Sequence, residues 1–377
     1  MVFAMHKKYK KIAEEILELS GVKINGSNPW DIQIHNDEFY RRAITEGELG
    51  IGESYMDGWW DAEKVDELIY KILRAQLDEK IRRKFSILFR LFTKRLLNLQ
   101  TKRRAFIIGE KHYDLGNELF QNMLDKRMNY SCAYWKDAGS LDEAQENKLE
   151  LICRKLYLKP GMRVLDIGCG WGAFGKYAAE KYNSEVVGIT VSKEQVELAR
   201  KLCGGLPVEI RLMDYRDVNG KYDRIVSVGM IEHVGYKNYK TFFEVANKCL
   251  KDDGLFLLHT IGNIKSVKTH NLWTSKYIFP NGMLPSVAQL GKAIENLFVM
   301  EDWHNFGIDY DKTLMEWFNN FVTNWDKIKN KYSERFFRMW KYFLLSSAGS
   351  FRSRRHDQLW QIVLSKYGIP GGYQSVR

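Results

Sequence analysis

The sharpest chemical signal in the chain is the run Val164-Leu165-Asp166-Ile167-Gly168-Cys169-Gly170-Trp171-Gly172. An apolar strand ends in an acid and opens into a glycine turn ahead of a helical segment at 174–181. Glycines at such a turn let the backbone approach a ligand where a Cβ would clash. A dinucleotide site also wants Asp or Glu at the end of the next strand, about 20 residues on, to hold the ribose. Here that place reads Gly188-Ile189-Thr190, which disfavours NAD and leaves Thr190 and Gln195 to hydrogen-bond a ligand. Asp214 and Tyr215, after a third strand, are placed to edge an adenosyl group. No Gly-Lys-Ser/Thr follows the glycine turn, which excludes a P-loop.

Two further groups fall at the carboxyl ends of strands, where a doubly wound sheet gathers its chemistry. Glu232 and His233 follow the strand ending near 229, and His259 ends the apolar run 255–258. A lone strand histidine is ordinarily a satisfied core residue, but an acid at the neighbouring strand's end turns the reading toward proton transfer. No His/Cys/Asp cluster has metal-ligand spacing and no Gly-x-Ser-x-Gly elbow occurs, so no metal site is expected. Five scattered cysteines without a Cys-x-x-Cys pair suggest neither disulfides nor zinc, and point to the cytoplasm.

The elements that must position these groups follow from periodicity. Candidate strands lie at 163–167, 185–190, 208–213, 224–229 and 255–261, with two later ones at 298–304 and 358–365. Five alternating units and two late strands predict an α/β, Rossmann-like class I methyltransferase fold. Ahead of it, helical spacing at 7–20 stops at Gly21, Asn25-Gly26 marks a turn, and Ile32 and Ile34 alternate as in a strand. The glycine- and aromatic-rich stretch 47–60 reads as irregular, and 65–77 and 80–100 read as helices. The expected division is a smaller, mainly helical domain over 1–100 and a catalytic domain over 101–377. The aromatic helices around 317–343 form an insertion in the latter.

A net charge of +11 is concentrated in one place. Lys80, Arg82, Arg83, Lys84, Arg90, Lys94, Arg95, Lys102, Arg103 and Arg104 occur with no intervening acid, interleaved with Phe85, Leu88, Phe89, Phe92, Leu96 and Leu99. A basic amphipathic helix of this kind suits an anionic lipid surface. No zinc finger, RNP aromatic pair or GxxG clamp supports nucleic-acid binding, and no nucleic-acid partner is expected. No apolar run reaches the roughly 18–20 residues of a bilayer span, and the start of the chain lacks a secretory h-region. The expected location is the cytoplasm, peripheral to the inner face of the membrane.

Eight motifs carry a family resemblance: GESYMDGWW at 52–60, HYDLGN at 112–117, YSCAYW at 130–135, VLDIGCGWG at 164–172, SVGMIEHVG at 227–235, LLHTIG at 257–262, YIFPNG at 277–282 and DWHNFG at 302–307. In order and from about residue 12 to 365, the chain resembles the bacterial cyclopropane-fatty-acyl-phospholipid synthases. That resemblance implies transfer of the methyl group of S-adenosylmethionine to a cis double bond of a phospholipid acyl chain. Loss of a proton from the added methyl then closes the ring.

An alkene is a weak nucleophile, so positioning and exclusion of water must supply much of the catalysis. The resemblance implies cofactor contacts from Tyr130, Ser131, Asp166, Gly168, Gly170, Thr190, Gln195 and Asp214, with Tyr215 a looser match. It further implies bicarbonate as proton acceptor, held by Cys132, Glu232, His259, Ile261 and Tyr310, and a homodimer. Tyr130, Trp135, Trp273 and Tyr310 are candidates to face the carbocation. Ser347 stands where some members have a cysteine proposed as catalytic, which argues against a covalent cysteine mechanism here. Readings left open are a methyl-branched product, a soluble small-molecule methyltransferase and a non-catalytic lipid-surface protein.

Overall fold

The computed structural model describes residues 2–76, 116–267 and 271–377, with side chains from residue 7 onward. The basic segment 80–104 and the first four residues of the motif at 112–117 lie outside the described residues. The chain divides into two compact units. One gathers the described part of Met1–Leu97 with Asn271–Phe279 and Trp317–His356. The other holds the described part of Asn98–His270 with Pro280–Glu316 and Asp357–Arg377.

The first unit is mainly helical, and its composition differs from the expected boundary near residue 100. The aromatic helix Glu334–Ser353 belongs here because it packs on the helix Val65–Arg74. Gly349 makes this possible: a Cβ there would lie 2.3 Å from the Asp66 carbonyl oxygen. Arg352 then binds Asp66 at 2.7 Å and Glu67 at 2.6 Å, while Arg338 donates to the Tyr55 and Trp60 carbonyls and pairs with Asp61 at 2.9 Å. Ser347 is half-buried on this helix.

The stretch 47–60 is not irregular: Glu48–Met56 is a helix. Its glycines serve close packing rather than turns, since a Cβ on Gly52 would lie 2.4 Å from the Trp273 ring. The first helix spans Val2–Glu18, and Gln33–Ile34 pairs with Trp60–Asp61 in a two-residue ladder.

The second unit is built on a seven-stranded sheet: β1 Arg163–Ile167, β2 Glu185–Thr190, β3 Val208–Leu212, β4 Tyr222–Val228, β5 Leu250–Asn263, β6 Val299–Asn305 and β7 Asp357–Ser365. Its order is β3-β2-β1-β4-β5-β7-β6. The first five strands run parallel, and β7 enters antiparallel between β5 and β6. The central strands are buried on both faces, as an apolar run such as Ile225, Val226 demands. All seven strand positions expected from periodicity are occupied, with ends shifted by a few residues. The reversal of strand direction of winding between β1 and β4 opens the crevice in which such sheets bind ligands.

Candidate functional site

The glycine turn after β1 requires its glycines. Gly168, Gly170 and Gly172 have φ of 86°, 54° and 83°, which side-chain-bearing residues adopt at a cost. A Cβ on Gly168 would also lie 2.6 Å from Met230 Cγ. The helix Ala173–Tyr182 leaves this turn and packs beneath the sheet.

Above the turn lies a cavity lined, among others, by Tyr130, Ser131, Asp166, Gly168, Gly170, Thr190, Gln195, Asp214 and Tyr215. All nine residues expected at the cofactor are thus gathered around one space. Their polar groups are differently engaged. The Thr190 hydroxyl donates to Gln195 Oε1 at 2.7 Å, and Arg216 holds both oxygens of Asp214, at 2.7 and 2.9 Å. Asp166, by contrast, accepts no side-chain hydrogen bond among the described residues, and burial pushes its pKa up to about 7 against the pull of the Lys148 charge. The Tyr215 hydroxyl is buried without a partner, and its ring packs edge-on against Phe242.

Sequence reasoning did not place Asn129, Lys148 or Met230 at this space, and it read His233 only as a strand-end group. Lys148 carried a signal. It falls on the buried stripe of the helix Leu141–Lys155 with Ala144, Gln145, Leu151 and Ile152, and a charge on an apolar stripe calls for a partner.

The five residues expected at the proton acceptor do not line this cavity; they form two small groups beside it. In the first, Glu232 sits in the single turn Ile231–His233 after β4, and its Oε1 accepts the Ile261 amide of β5 at 2.8 Å. Burial raises its pKa to about 7, against the lowering effect of that amide and of the nearby Thr260 hydroxyl. His259 lies two residues before Ile261 on the same strand face. Its Nδ1 is 3.2 Å from Gln361 Nε2, directly across the β5–β7 ladder. With the amide donating, the neutral ring carries its hydrogen on Nε2. Burial, reinforced by the charges of Lys148 and Lys155, keeps the ring uncharged by holding its pKa well below the usual value. Glu232 Oε2 and His259 Nε2 are both buried without a hydrogen-bond partner among the described residues.

In the second group, the segment bearing Cys132 is stitched to the helix bearing Tyr310. The Ala133 amide donates to Thr313 Oγ1 at 3.1 Å and the Trp135 amide to Asp309 Oδ2 at 2.8 Å. Cys132 is fully buried and its pKa lies well above that of a free thiol, chiefly through burial and then the Asp309 charge. A thiolate role is therefore disfavoured. Trp135 spends its indole N–H on Thr313 at 3.0 Å. Trp273 packs in the helical unit, with its indole N–H on Met56 Sδ at 3.3 Å and its ring edge-on to Tyr342.

The sheet order, the positive-φ glycine turn and the cavity over it define a class I S-adenosylmethionine-dependent methyltransferase. Comparison with known proteins sharpens the class. Residues 100–362 match the family described as mycolic acid cyclopropane synthetase, and the chain belongs to that family. It is 54% identical over 367 residues to the cyclopropane-fatty-acyl-phospholipid synthase of Escherichia coli (strain K12), covering 97% of this chain and 96% of the relative. Among solved structures it resembles the cyclopropane synthase MmaA2 from Mycobacterium tuberculosis, with TM-score 0.65 and 30% identity over 71% of this chain and 100% of that one. It also resembles the mycolic acid cyclopropane synthase CmaA1 complexed with SAH and CTAB, with TM-score 0.64 and 33% identity over 69% of this chain and 98% of that one.

Proposed function

We propose that this enzyme transfers the methyl group of S-adenosylmethionine to the cis double bond of an unsaturated phospholipid acyl chain and closes a cyclopropane ring there. The single observation that carries the reading is the gathering of the nine expected cofactor residues around one cavity, in a unit whose adjacent strands β4 and β5 lead to and carry the buried, incompletely bonded Glu232 and His259.

The sulfonium of the bound cofactor supplies an electrophilic methyl group. The chain's own task is to hold that group against an alkene, to exclude water and to receive a proton. Tyr130, Ser131, Asp166, Gly168, Gly170, Thr190, Gln195, Asp214 and Tyr215 form the cofactor site. Water exclusion is supported by the burial of Cys132 and Tyr310.

Bicarbonate is the proposed acceptor: it would accept from the His259 Nε2–H and donate its own hydroxyl to the ionised Glu232 at Oε2. When bound it supplies a compact base for the proton lost from the added methyl. Glu232, with its pKa near neutrality, is suited to take up that proton at Oε2. The Ile261 amide fixes the other carboxylate oxygen, so proton uptake occurs at one defined atom. Cys132 and Tyr310 are the further residues that the resemblance assigns to this anion.

Docking on the membrane belongs to the basic segment 80–104, and a homodimer would place two such segments on one surface. Among the described residues no helix is long and apolar enough to cross a membrane. Salt-sensitive co-sedimentation with anionic vesicles is the expected behaviour; equal, salt-insensitive binding to neutral vesicles removes the electrostatic docking.

The decisive assay incubates the protein with S-adenosylmethionine and vesicles of a cis-monounsaturated anionic phospholipid, with bicarbonate supplied or removed. Upfield cyclopropyl proton signals that depend on bicarbonate are expected. Glu232→Gln or His259→Ala is expected to lower turnover by about 10²- to 10⁴-fold while leaving cofactor affinity within a few-fold, as loss of a general acid–base group does. Methylated alkene without ring signals would overturn ring closure, and near-normal turnover in either variant would overturn the proton path.

A further inference from the structure

The charged groups around the cofactor cavity are paired or neutral except at two points, Lys148 and Asp166. Arg216 is neutralised by Asp214 at 2.7 Å, and burial keeps His233 uncharged, with a pKa of about 4. Lys148 is buried to 1% exposure yet no carboxylate pairs with it among the described residues. Its Nζ donates to Asn129 Oδ1 at 2.8 Å and to Ser131 Oγ at 3.0 Å, both neutral acceptors. An ammonium has three hydrogens, and the third meets no acceptor among the described residues. Asp125, the carboxylate behind Asn129, is itself occupied by the Asn129 amide and side chain at 2.7 and 2.9 Å. Asp166, also lining the cavity, is the mirror image: a buried carboxylate with no side-chain donor among the described residues.

Lys148 feels the charges of Asp125 and Asp166 but is hydrogen-bonded to neither among the described residues, and a cavity holding one incompletely bonded charge of each sign suits a ligand that carries both. We propose that Lys148 anchors the α-carboxylate of the methionyl arm of S-adenosylmethionine, opposite Asp166 at the α-ammonium. The inference rests on the reading of this cavity as the cofactor site and deepens it. The pair would then read the zwitterionic end of the ligand, as two charged hydrogen bonds of opposite direction. Burial lowers the Lys148 pKa to about 8 and raises that of Asp166 to about 7, and each charge offsets part of the other's shift. Lys148 also holds Ser131, and Gln145 on the same helix donates to the Ser131 carbonyl at 2.9 Å. The carboxylate anchor is thereby built into the segment that forms one wall of the cavity.

Equilibrium binding of three ligands separates recognition from mere support of this wall. They are S-adenosylhomocysteine, its decarboxylated analogue, and methylthioadenosine, which lacks the whole amino-acid arm. Lys148→Met is expected to weaken S-adenosylhomocysteine by about 10- to 100-fold, the scale of a charged hydrogen bond, and the other two by no more than about threefold. Lys148→Gln, which keeps donor hydrogens for Asn129 and Ser131 but no charge, is expected to show the same selectivity. Equal weakening of all three ligands, or an unchanged S-adenosylhomocysteine affinity, overturns the anchor. The wild-type protein supplies a further check, since equal affinity for S-adenosylhomocysteine and its decarboxylated analogue also overturns it. Wild-type protein that binds none of the three overturns the reading of the cavity, and the anchor with it.

Discussion

Lys148 and Lys155 stand two turns apart on the buried stripe of one helix, and their surroundings differ in kind. Lys155, in the last turn, has its charge met inside the protein: His304 Nδ1 lies at 3.0 Å and Asp302 at 3.9 Å. Asp302 is shared with Arg377 and Ser375, and the Lys155 carbonyl accepts the Tyr373 hydroxyl at 2.9 Å. The position also benefits from the negative end of the helix dipole. This lysine ties the end of the helix to β6 and to the chain's C-terminal residues. Lys148 has neutral partners only and faces a cavity. A buried charge answered within the protein holds the fold; one left unanswered at a cavity marks where a ligand's charge belongs.

Crossing the two substitutions gives the largest contrast. Alongside the loss of S-adenosylhomocysteine affinity expected for Lys148→Met, Lys155→Met is expected to leave that affinity unchanged. It should instead lower unfolding stability by about 1–3 kcal/mol in denaturant titrations, the cost of orphaning buried hydrogen-bonding groups. Loss of ligand affinity in Lys155→Met without loss of stability would erase the distinction.

A smaller effect is expected from Gln145→Leu, which removes the donor to the Ser131 carbonyl but no charge. It should weaken S-adenosylhomocysteine and methylthioadenosine alike, by less than about tenfold, because a neutral hydrogen bond contributes about 1 kcal/mol. Selective loss of S-adenosylhomocysteine in this variant would make the wall, not the lysine charge, the source of carboxylate recognition.

The smallest effect is a pH dependence. Burial lowers the Lys155 pKa to about 7 from an ordinary 10.5, and Arg377, competing for Asp302, adds to the fall. Between these values the unfolded chain binds a proton that the folded chain has released, so this group makes stability rise with pH across that window. Glu232 and Asp166 act oppositely at lower pH. Their folded pKa values near 7 exceed the ordinary 4.5 and 3.8, so stability from these groups falls as pH rises toward 7. Urea titrations should show a shallower rise between pH 7 and 10 in Lys155→Met than in the wild type; identical slopes would place the lysine's titration elsewhere.

The parts legible in the sequence are those whose cause is local. A buried parallel strand must be an apolar run, and Val164 to Ile167 is one; the turn after it must tolerate positive φ, and glycines at 168, 170 and 172 announce it. Of the cavity's nine expected residues, Tyr130, Ser131, Asp166, Gly168 and Gly170 sit in family motifs, while Thr190, Gln195, Asp214 and Tyr215 lie at or just beyond the carboxyl ends of β2 and β3, where such a sheet gathers its ligand contacts. The helix Glu48–Met56 was hidden because Gly50 and Gly52 ordinarily weaken a helix. Their purpose, clearance for the Arg42 carbonyl and the Trp273 ring, depends on partners distant in sequence. The division into units was hidden for the same reason, since Gly349 and Arg352 meet Asp66 across some 280 positions.

By itself, the order of residues determined the strand and helix periodicities, the glycine turn and the family to which the chain belongs. These depend on neighbours within a few positions or on motifs read in line. Only the tertiary structure decided which buried charges have partners. It set Asp302 beside Lys155 and left Lys148 facing the cavity, though both lysines occupy the same stripe of the same helix. Electrostatic balance is a property of separation in space, and periodicity along one helix carries no information about what its buried face will meet.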